Sequence, residues 1–213
     1  QAIEFITQTA GAPFCLFLSW GPPHNPCWLM PEGYKRYAPE QVTLRPNVPA
    51  ELAEAARHEI AGYWSHITAL DANVGRLMRC LESLGLADDT SVVFTSDHGD
   101  MLGSQGVARK QKPFEESIMV PFVLRWPRLG RRGQRLDTLI NAPDVMPTLL
   151  GLMGAPIPQR VEGTNLSFVL TGAPGEEPAA AFIGNPCPFH GDAGGLPEWR
   201  GVRTKRYTYV RGL

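Results

Sequence analysis

The chain has 213 residues, a formal net charge of −1 and an apolar fraction of 43%. This nearly neutral balance excludes a strongly basic nucleic-acid-binding protein. No apolar run reaches the roughly 20 residues that are needed to cross a bilayer. The length fits one α/β domain and the beginning of another, so we expect neither a nucleic-acid partner nor a membrane partner.

The first predicted element is a strand over the apolar segment 13–20, which runs into the turn Gly21–Pro26. Prolines on both sides of His24 stiffen the backbone, so the imidazole is held at little further cost in entropy. Taken alone, a histidine in such a proline-rich loop is more often simply exposed. His24 is therefore a candidate only in combination with other residues.

The second predicted element is one long helix that begins near Pro49 or Glu51 and ends at Gly85. Large apolar residues recur along it at steps of three and four, which predicts a single buried stripe. These residues are Ile60, Tyr63, Ile67, Leu70, Val74, Leu77, Leu81 and Leu84. We assign them to the core and none of them to catalysis.

The most informative stretch is the predicted strand within Ser91–Asp100, which ends abruptly in Asp97 and His98. Gly99 allows the backbone to turn, so two potential ligands lie at the carboxyl end of a strand, where open α/β sheets place their chemistry. A carboxylate oxygen and an imidazole nitrogen suit a divalent cation, and Lys110 adds a positive charge for an anion. Without further context, an Asp-His-Gly sequence is equally consistent with a simple turn.

Three further elements follow: a strand at 120–126, a helix at 141–153 with Asp144 as its cap, and a strand at 199–210. The segment 171–197 between the last two is rich in Gly, Pro and Ala, which indicates a boundary. The order strand, long helix, strand predicts a right-handed crossover into a mostly parallel sheet. Cys15 and Cys80 lie in apolar elements, where we expect buried thiols.

Several of these motifs resemble those of the type I sulfatases, in the alkaline phosphatase superfamily. In that family, a Ser-Asp-His-Gly or Ser-Asp-Asn-Gly sequence is followed further along by a lysine. After this lysine come three further residues, then an aromatic residue and then a glutamate. Lys110 has this spacing before Phe114 and Glu115. The turn around His24 resembles the family's Pro-His-x-Pro turn, and the segment 200–204 resembles its Arg-x-Val-Arg-Thr phrase.

The resemblance implies an α/β fold in which helices sandwich a mostly parallel sheet. Residues 1–172 would be the later part of the catalytic domain, and residues 173–213 a linker with the start of a small α+β subdomain. It also implies roles for single residues. Asp97 and His98 would hold a divalent metal, Lys110 would hold the sulfate, and His24 would contact the leaving oxygen. Lys112 is a weaker candidate for the cationic role.

The resemblance also implies cofactors and a substrate class. The metal would be Ca²⁺, with Mn²⁺ or Zn²⁺ as alternatives because an imidazole nitrogen favours them. The substrate would be a sulfate ester of a small molecule or a carbohydrate. Gln105 and Met119 replace a histidine and an arginine that most relatives have at these points, so substrate contacts differ there.

The family's nucleophile phrase, Cys or Ser followed by x-Pro-x-Arg, does not occur in this sequence, nor does its early strand with paired aspartates. In sulfatases the Cys or Ser of this phrase is oxidised to formylglycine, which we expect on a preceding part of the family's sequence. We therefore expect the chain to be a fragment that hydrolyses no sulfate ester by itself.

Three hypotheses follow from these motifs. The first is a fragment of a sulfuric ester hydrolase. The second is a phosphodiester or phosphonate monoester hydrolase of the same superfamily with a different nucleophile. The third is a non-catalytic domain that binds anions. The joint presence of Asp97, His98, Lys110 and His24 argues against the third, because a binding domain has no need of all four.

Overall fold

The computed structural model of the chain describes residues 1–130, 133–186 and 198–212. These residues form two compact units, which are described separately below. The first unit comprises Gln1–Val93, Asp100–Arg109 and Leu124–Trp126, and the second comprises Phe94–Gly99, Lys110–Val123 and Pro127–Leu213. The division into residues 1–172 and 173–213 stays a prediction.

The described residues contain five α-helices and five strands. The helices are α1 (Ala2–Gln8), α2 (Ala53–Ser83), α3 (Glu115–Ile118), α4 (Ala142–Leu152) and α5 (Ser167–Thr171), and single 3-10 turns lie at Pro39–Gln41, Ala50–Leu52, Ser104–Gly106 and Pro127–Leu129. The strands are β1 (Val92–Thr95), β2 (Phe122–Arg125), β3 (Ala180–Asn185), β4 (Trp199–Thr204) and β5 (Thr208–Gly212). None of the helices in the described part is long and apolar enough to span a membrane.

The long helix is confirmed as α2, which is followed by Gly85 in the left-handed region, at φ 70°. Its residues Ile60, Leu70 and Leu81 are buried, as the apolar stripe predicts. A helix of this length is stabilised mainly by such tertiary packing. α2 is the scaffold of the first unit.

The prediction that Ile67 is buried was wrong, because 42% of this residue is exposed. The helix turns a face of small and polar residues inward at this level, and Ser65 and His66 are buried instead. At Gly62 a Cβ atom would collide with the carbonyl of Cys27, so the chain around Cys27 packs directly on the helix backbone. Near Ile67, the buried face of the helix is therefore set by this close approach.

The predicted strand at 13–20 was also wrong, because this segment has no strand structure. Phe14 and Leu16 pack against the cluster formed by Ile6, Leu81 and Ala87, whereas Phe17 is 96% exposed. None of the strands in residues 1–130, 133–186 and 198–212 pairs with the segment, so only one of its two sides is covered. An extended chain needs a paired neighbour before its backbone groups are satisfied.

Two of the cysteine expectations also fail. Cys15 is exposed, because it points away from the side on which its neighbours pack, and Cys80 is only half-buried. Cys27 is the buried cysteine among the described residues. Cys187 lies outside the described residues.

The remaining strands form two small sheets. β1 and β2 form a two-stranded sheet, and β2 confirms the strand predicted at 120–126. The strand predicted at 199–210 is an antiparallel hairpin of β4 and β5, and β3 pairs with the other edge of β4. Thr204 Oγ1 accepts the backbone N–H groups of Arg206 and Tyr207 and so closes the turn of this hairpin.

The predicted cap of α4 is confirmed. The Asp144 carboxylate accepts the backbone N–H of Asn141 at 2.9 Å, and the Asn141 side chain in turn accepts the N–H of Ala142. The other carboxylate oxygen accepts the N–H of Thr164 at 2.7 Å. Asp144 therefore stabilises the start of the helix and one loop, which are structural tasks.

Candidate metal and anion site

The turn Ser96–Gly99, here called the Asp97 turn, follows β1 directly. One Asp97 oxygen, Oδ1, accepts the backbone N–H of His98 at 3.0 Å, and the Ser96 hydroxyl donates to the carbonyl of His98 at 2.9 Å. These local hydrogen bonds are typical of a simple turn, which was the alternative interpretation of the Asp-His-Gly sequence. The Asp97 side chain is nevertheless 84% exposed, so its second oxygen is open to a ligand.

The imidazole of His98 has a defined orientation. Its Nδ1 lies 2.8 Å from the carbonyl oxygen of Gly99. Because a carbonyl only accepts hydrogen bonds, Nδ1 carries a proton, and the neutral ring presents its lone pair at Nε2. This Nε2 lies 3.5 Å from Oδ2 of Asp97.

Two electron-rich atoms held this close favour a positive charge between or beside them. A cation shared by the two side chains would supply this charge. An oxygen and a nitrogen donor with this orientation fit a divalent metal. Among the residues that the structure describes, no group of three or more His, Cys, Asp or Glu side chains is placed to hold an ion. The role of Asp97 and His98 as metal ligands stays a prediction.

The segment Lys110–Ser117, here called the lysine segment, is bonded to the Asp97 turn. The backbone N–H of Gly99 donates to the carbonyl of Ser117 at 2.9 Å. Ser117 is itself buried, and its hydroxyl accepts the N–H of Lys112 at 3.3 Å. The second unit thus brings the two predicted metal ligands and the segment that carries Lys110 into one hydrogen-bonded network.

The two lysines of this segment differ in exposure. Lys110 is half-buried, whereas Lys112 is only 7% exposed. A buried ammonium group has less access to a substrate anion, which agrees with the preference for Lys110. The catalytic role of either lysine stays a prediction.

Gly99 is the point of closest contact between the Asp97 turn and the lysine segment. A Cβ atom added at this position would collide with the carbonyl oxygen of Glu116 and lie 3.0 Å from its carbonyl carbon. The obstacle is backbone rather than a flexible side chain. Only glycine fits without a shift of one of the two chains.

We expect Gly99→Ala to destabilise the chain by about 1–3 kcal/mol, because the added methyl group has to displace the backbone at Glu116. Urea unfolding measures this difference in the free energy of unfolding. Gly11→Ala is the matched control, since a Cβ at Gly11 meets nothing within 4 Å. Equal stability of the two variants would show that the turn and the lysine segment are not in contact.

His24 belongs to the first unit, whereas the other three candidates belong to the second. It is exposed and sits in a tight turn in which its N–H donates to the carbonyl of Gly21 at 3.1 Å. Its Nδ1 lies 2.8 Å from the carbonyl oxygen of Asn25. The Pro22–Pro23 and Asn25–Pro26 peptide bonds on either side are both cis.

The first unit holds a separate cluster of ionisable residues. Burial, with the nearby carboxylates of Glu59 and Asp100, raises the pKa of the Cys27 thiol to about 11. Burial also raises the pKa of Tyr63. Cys27 is therefore a protonated thiol at neutral pH and not a nucleophile.

Sequence reasoning missed two residues of β4 that contact the lysine segment. The indole N–H of Trp199 donates to the carbonyl of Gln111 at 3.0 Å. The guanidinium of Arg203 donates to both carboxylate oxygens of Glu115, at 2.5 and 3.4 Å. The Arg-x-Val-Arg-Thr phrase drew attention to Arg203, but nothing in the sequence paired it with a residue 88 positions away.

Comparison with known proteins identifies the family. The Sulfatase family model matches residues 1–155, and a second model, described as N-sulphoglucosamine sulphohydrolase, C-terminal, matches residues 103–211. The chain therefore belongs to the sulfatase family, whose type I members are part of the alkaline phosphatase superfamily.

The individual similarities agree with this assignment. The chain is 40% identical over 203 residues to an ulvan-active sulfatase of Formosa agariphila, and the match covers 93% of this chain and 40% of that protein. It is similar to the sulfatase yidJ structure of Bacteroides fragilis, with 35% identity, a TM-score of 0.84 and coverage of 98% of this chain and 47% of the other. It is also similar to a phosphonate monoester hydrolase of Agrobacterium radiobacter, with 26% identity, a TM-score of 0.81 and coverage of 98% and 51%.

These neighbours confirm the predicted α/β fold of the alkaline phosphatase type. The chain spans 40% of the length of its Formosa agariphila relative and about half of each structural neighbour.

Proposed function

We propose that this chain forms part of the active site of a sulfatase that hydrolyses a sulfate ester to an alcohol and inorganic sulfate. One observation carries the proposal: the bond from Gly99 to Ser117 joins the Asp97 turn to the segment that carries Lys110. Candidate metal ligands and a candidate anion-binding cation thus belong to one network, in a chain of the sulfatase family.

The reaction sets three chemical demands. A sulfate ester is tetrahedral and anionic, and cleavage of its S–O bond moves negative charge onto the leaving oxygen. A site for this reaction needs positive charge at the sulfate oxygens, a nucleophile for sulfur and a proton for the leaving oxygen. The proposed residues answer the first and third demands. No residue of this sequence lies in the nucleophile phrase, so the nucleophile is not assigned to this chain.

Asp97 Oδ2 and His98 Nε2 are the atoms that would hold a divalent cation. Such a cation supplies positive charge that polarises the sulfate. The family implies Ca²⁺, whereas the imidazole donor favours Mn²⁺ or Zn²⁺, so activity with each of the three ions discriminates between them. Lys110 would bind a sulfate oxygen through its ammonium group, and the imidazolium form of His24 would donate its Nε2 proton to the departing alcohol oxygen.

We further propose a sulfated carbohydrate as the substrate. The support is the second family model, which is described by N-sulphoglucosamine and matches residues 103–211. That range includes Lys110, all of β4 and β5 up to Arg211. A small aryl sulfate remains the convenient probe.

The second candidate function is hydrolysis of a phosphonate or phosphate ester. The observation that favours it is the TM-score of 0.81 to the Agrobacterium radiobacter phosphonate monoester hydrolase. Sulfate hydrolysis is preferred because both family models and the more similar relatives carry sulfatase names.

The test uses a hybrid enzyme, in which this chain replaces the matched 203-residue segment of the Formosa agariphila sulfatase. The rest of that protein would supply the nucleophile phrase that the family resemblance implies. We expect this hybrid enzyme to hydrolyse 4-nitrophenyl sulfate faster than the corresponding phenylphosphonate ester. A folded hybrid that turned over only the phosphonate ester would favour the second function, and one that turned over neither would contradict both.

Lys110→Ala is expected to lower kcat/KM of the hybrid enzyme for 4-nitrophenyl sulfate by about 10²–10³-fold, because one charged donor to the sulfate oxygens is lost. Steady-state kinetics measures this loss. Lys35→Ala is the control, since Lys35 is an exposed lysine of the first unit. If the two variants were equally active, Lys110 would have no role in binding the anion.

A further inference from the structure

The backbone next to Lys110 adopts an unusual conformation. Gln111 has a φ of 67°, in the left-handed region that residues with a side chain rarely adopt. Such a conformation persists only where the surroundings enforce it. The direction in which the Lys110 side chain leaves the backbone depends on this neighbouring peptide.

The β4 strand supplies two anchors for this segment. Trp199 is only 4% exposed, and its indole N–H donates to the carbonyl of Gln111 at 3.0 Å. Four residues further along the same face of the strand, Arg203 binds both carboxylate oxygens of Glu115. The two contacts hold opposite ends of the segment between Gln111 and Glu115.

The other side of the lysine segment is held by the Asp97 turn through Ser117. Lys110 therefore belongs to a segment that is bonded to β4 at Gln111 and Glu115 and to the Asp97 turn at Ser117. Two anchored carbonyls flank Lys110: that of Arg109 accepts the backbone N–H of Met101 at 2.7 Å, and that of Gln111 accepts the indole N–H of Trp199. Only the second is held by a side chain, which singles out Trp199.

We propose that Trp199 is a positioning residue for Lys110, which holds the Gln111 carbonyl so that the ammonium group is directed at a sulfate oxygen of the substrate. This inference rests on the proposed function of Lys110. It assigns to the carboxy-terminal hairpin a task in anion binding, in addition to its place in the fold.

The test is a double-mutant cycle in the hybrid enzyme. Trp199→Phe keeps an aromatic ring but loses the N–H donor, and we expect it to lower kcat/KM for 4-nitrophenyl sulfate by about tenfold, the effect of one lost hydrogen bond. In a Lys110→Ala background the same change is expected to have an effect below about twofold, because the residue it positions is absent. The proposal would be overturned if the losses in kcat/KM from Trp199→Phe and Lys110→Ala multiplied in the double variant, or if Trp199→Phe alone caused no loss.

Trp64→Phe is the matched control, because Trp64 is a partly buried tryptophan that packs on the core of the first unit. If Trp199→Phe does not fold, as judged by circular dichroism, Arg203→Lys replaces it. This variant keeps the charge but loses the paired contact with Glu115, and it should show the same dependence on Lys110. Independence from Lys110 would again overturn the proposal.

A second readout separates this inference from the proposed function. The acylation rate of the Lys110 amine, followed by mass spectrometry on the hybrid enzyme, reports its surroundings without any turnover. Trp199→Phe is expected to change this rate several-fold and to leave that of Lys35 unaltered. If the hybrid enzyme is inactive but Trp199→Phe changes the acylation rate of Lys110, only the proposed function is contradicted. If the hybrid enzyme is active but the acylation rate does not change, only the role of Trp199 is contradicted.

Discussion

Asp97→Ala is expected to abolish both turnover and metal retention in the hybrid enzyme. The change removes a charged oxygen donor, so the cation loses charge compensation and a ligand at once, and His98 Nε2 is left without the partner 3.5 Å away. The loss should exceed that of any other single substitution considered, at about 10⁴-fold or more, because the sulfate oxygens lose the main positive charge that stabilises them.

Metal content after dialysis, measured by atomic emission, and turnover of 4-nitrophenyl sulfate together test this expectation. Asp88→Ala serves as the control, since Asp88 is an exposed aspartate in a turn of the first unit. An Asp97→Ala enzyme that kept its metal and its activity would remove Asp97 from the site. Loss of activity with full metal content would assign it a different role.

His24→Ala is expected to slow esters in proportion to the basicity of their leaving groups. Protonation of the departing oxygen matters little for an acidic phenol, but it matters greatly for an alkyl or sugar alcohol. We expect a loss of about 10²–10³-fold in kcat/KM for alkyl sulfates and below about tenfold for 4-nitrophenyl sulfate, in the range of general acid catalysis. Metal content should be unchanged.

A series of sulfate esters with leaving groups of graded acidity measures this dependence as a slope. His58→Ala is the control, because His58 is an exposed histidine on α2. A steeper slope for His24→Ala than for the unsubstituted enzyme is the expected result. A uniform loss over all esters would leave His24 with anion binding alone.

The parts of the fold that could be predicted are those that local sequence determines. The spacing of apolar residues predicted α2, and Asp144 with the prolines beside it predicted the start of α4, because a cap involves only neighbouring residues. The segment 13–20 has the composition of a strand, but composition does not provide a partner, and its formation depends on pairing. The prediction that Ile67 is buried failed for a related reason, because its burial depends on where the chain around Cys27 packs.

The candidate site shows the same division. The sequence alone identified Asp97, His98 and Lys110 as candidates, because these residues lie within one stretch of the chain. The sequence did not predict the hydrogen bond from Gly99 to Ser117 or the contact of Trp199 with Gln111. Each depends on the tertiary path of the backbone. The tautomer of His98 likewise became assignable only from the position of the Gly99 carbonyl.

The contact of Gly99 with the backbone at 116–117 has a consequence for how such sites diverge. The Asp97 turn and the lysine segment touch through main-chain atoms, with no side chain between them. The spacing between the two therefore depends on the glycine at position 99 and not on the side chains of His98 and Lys110. If His98 and Lys110 have the roles proposed above, their replacement would alter ion preference or anion binding without a change in the distance between the turn and the segment.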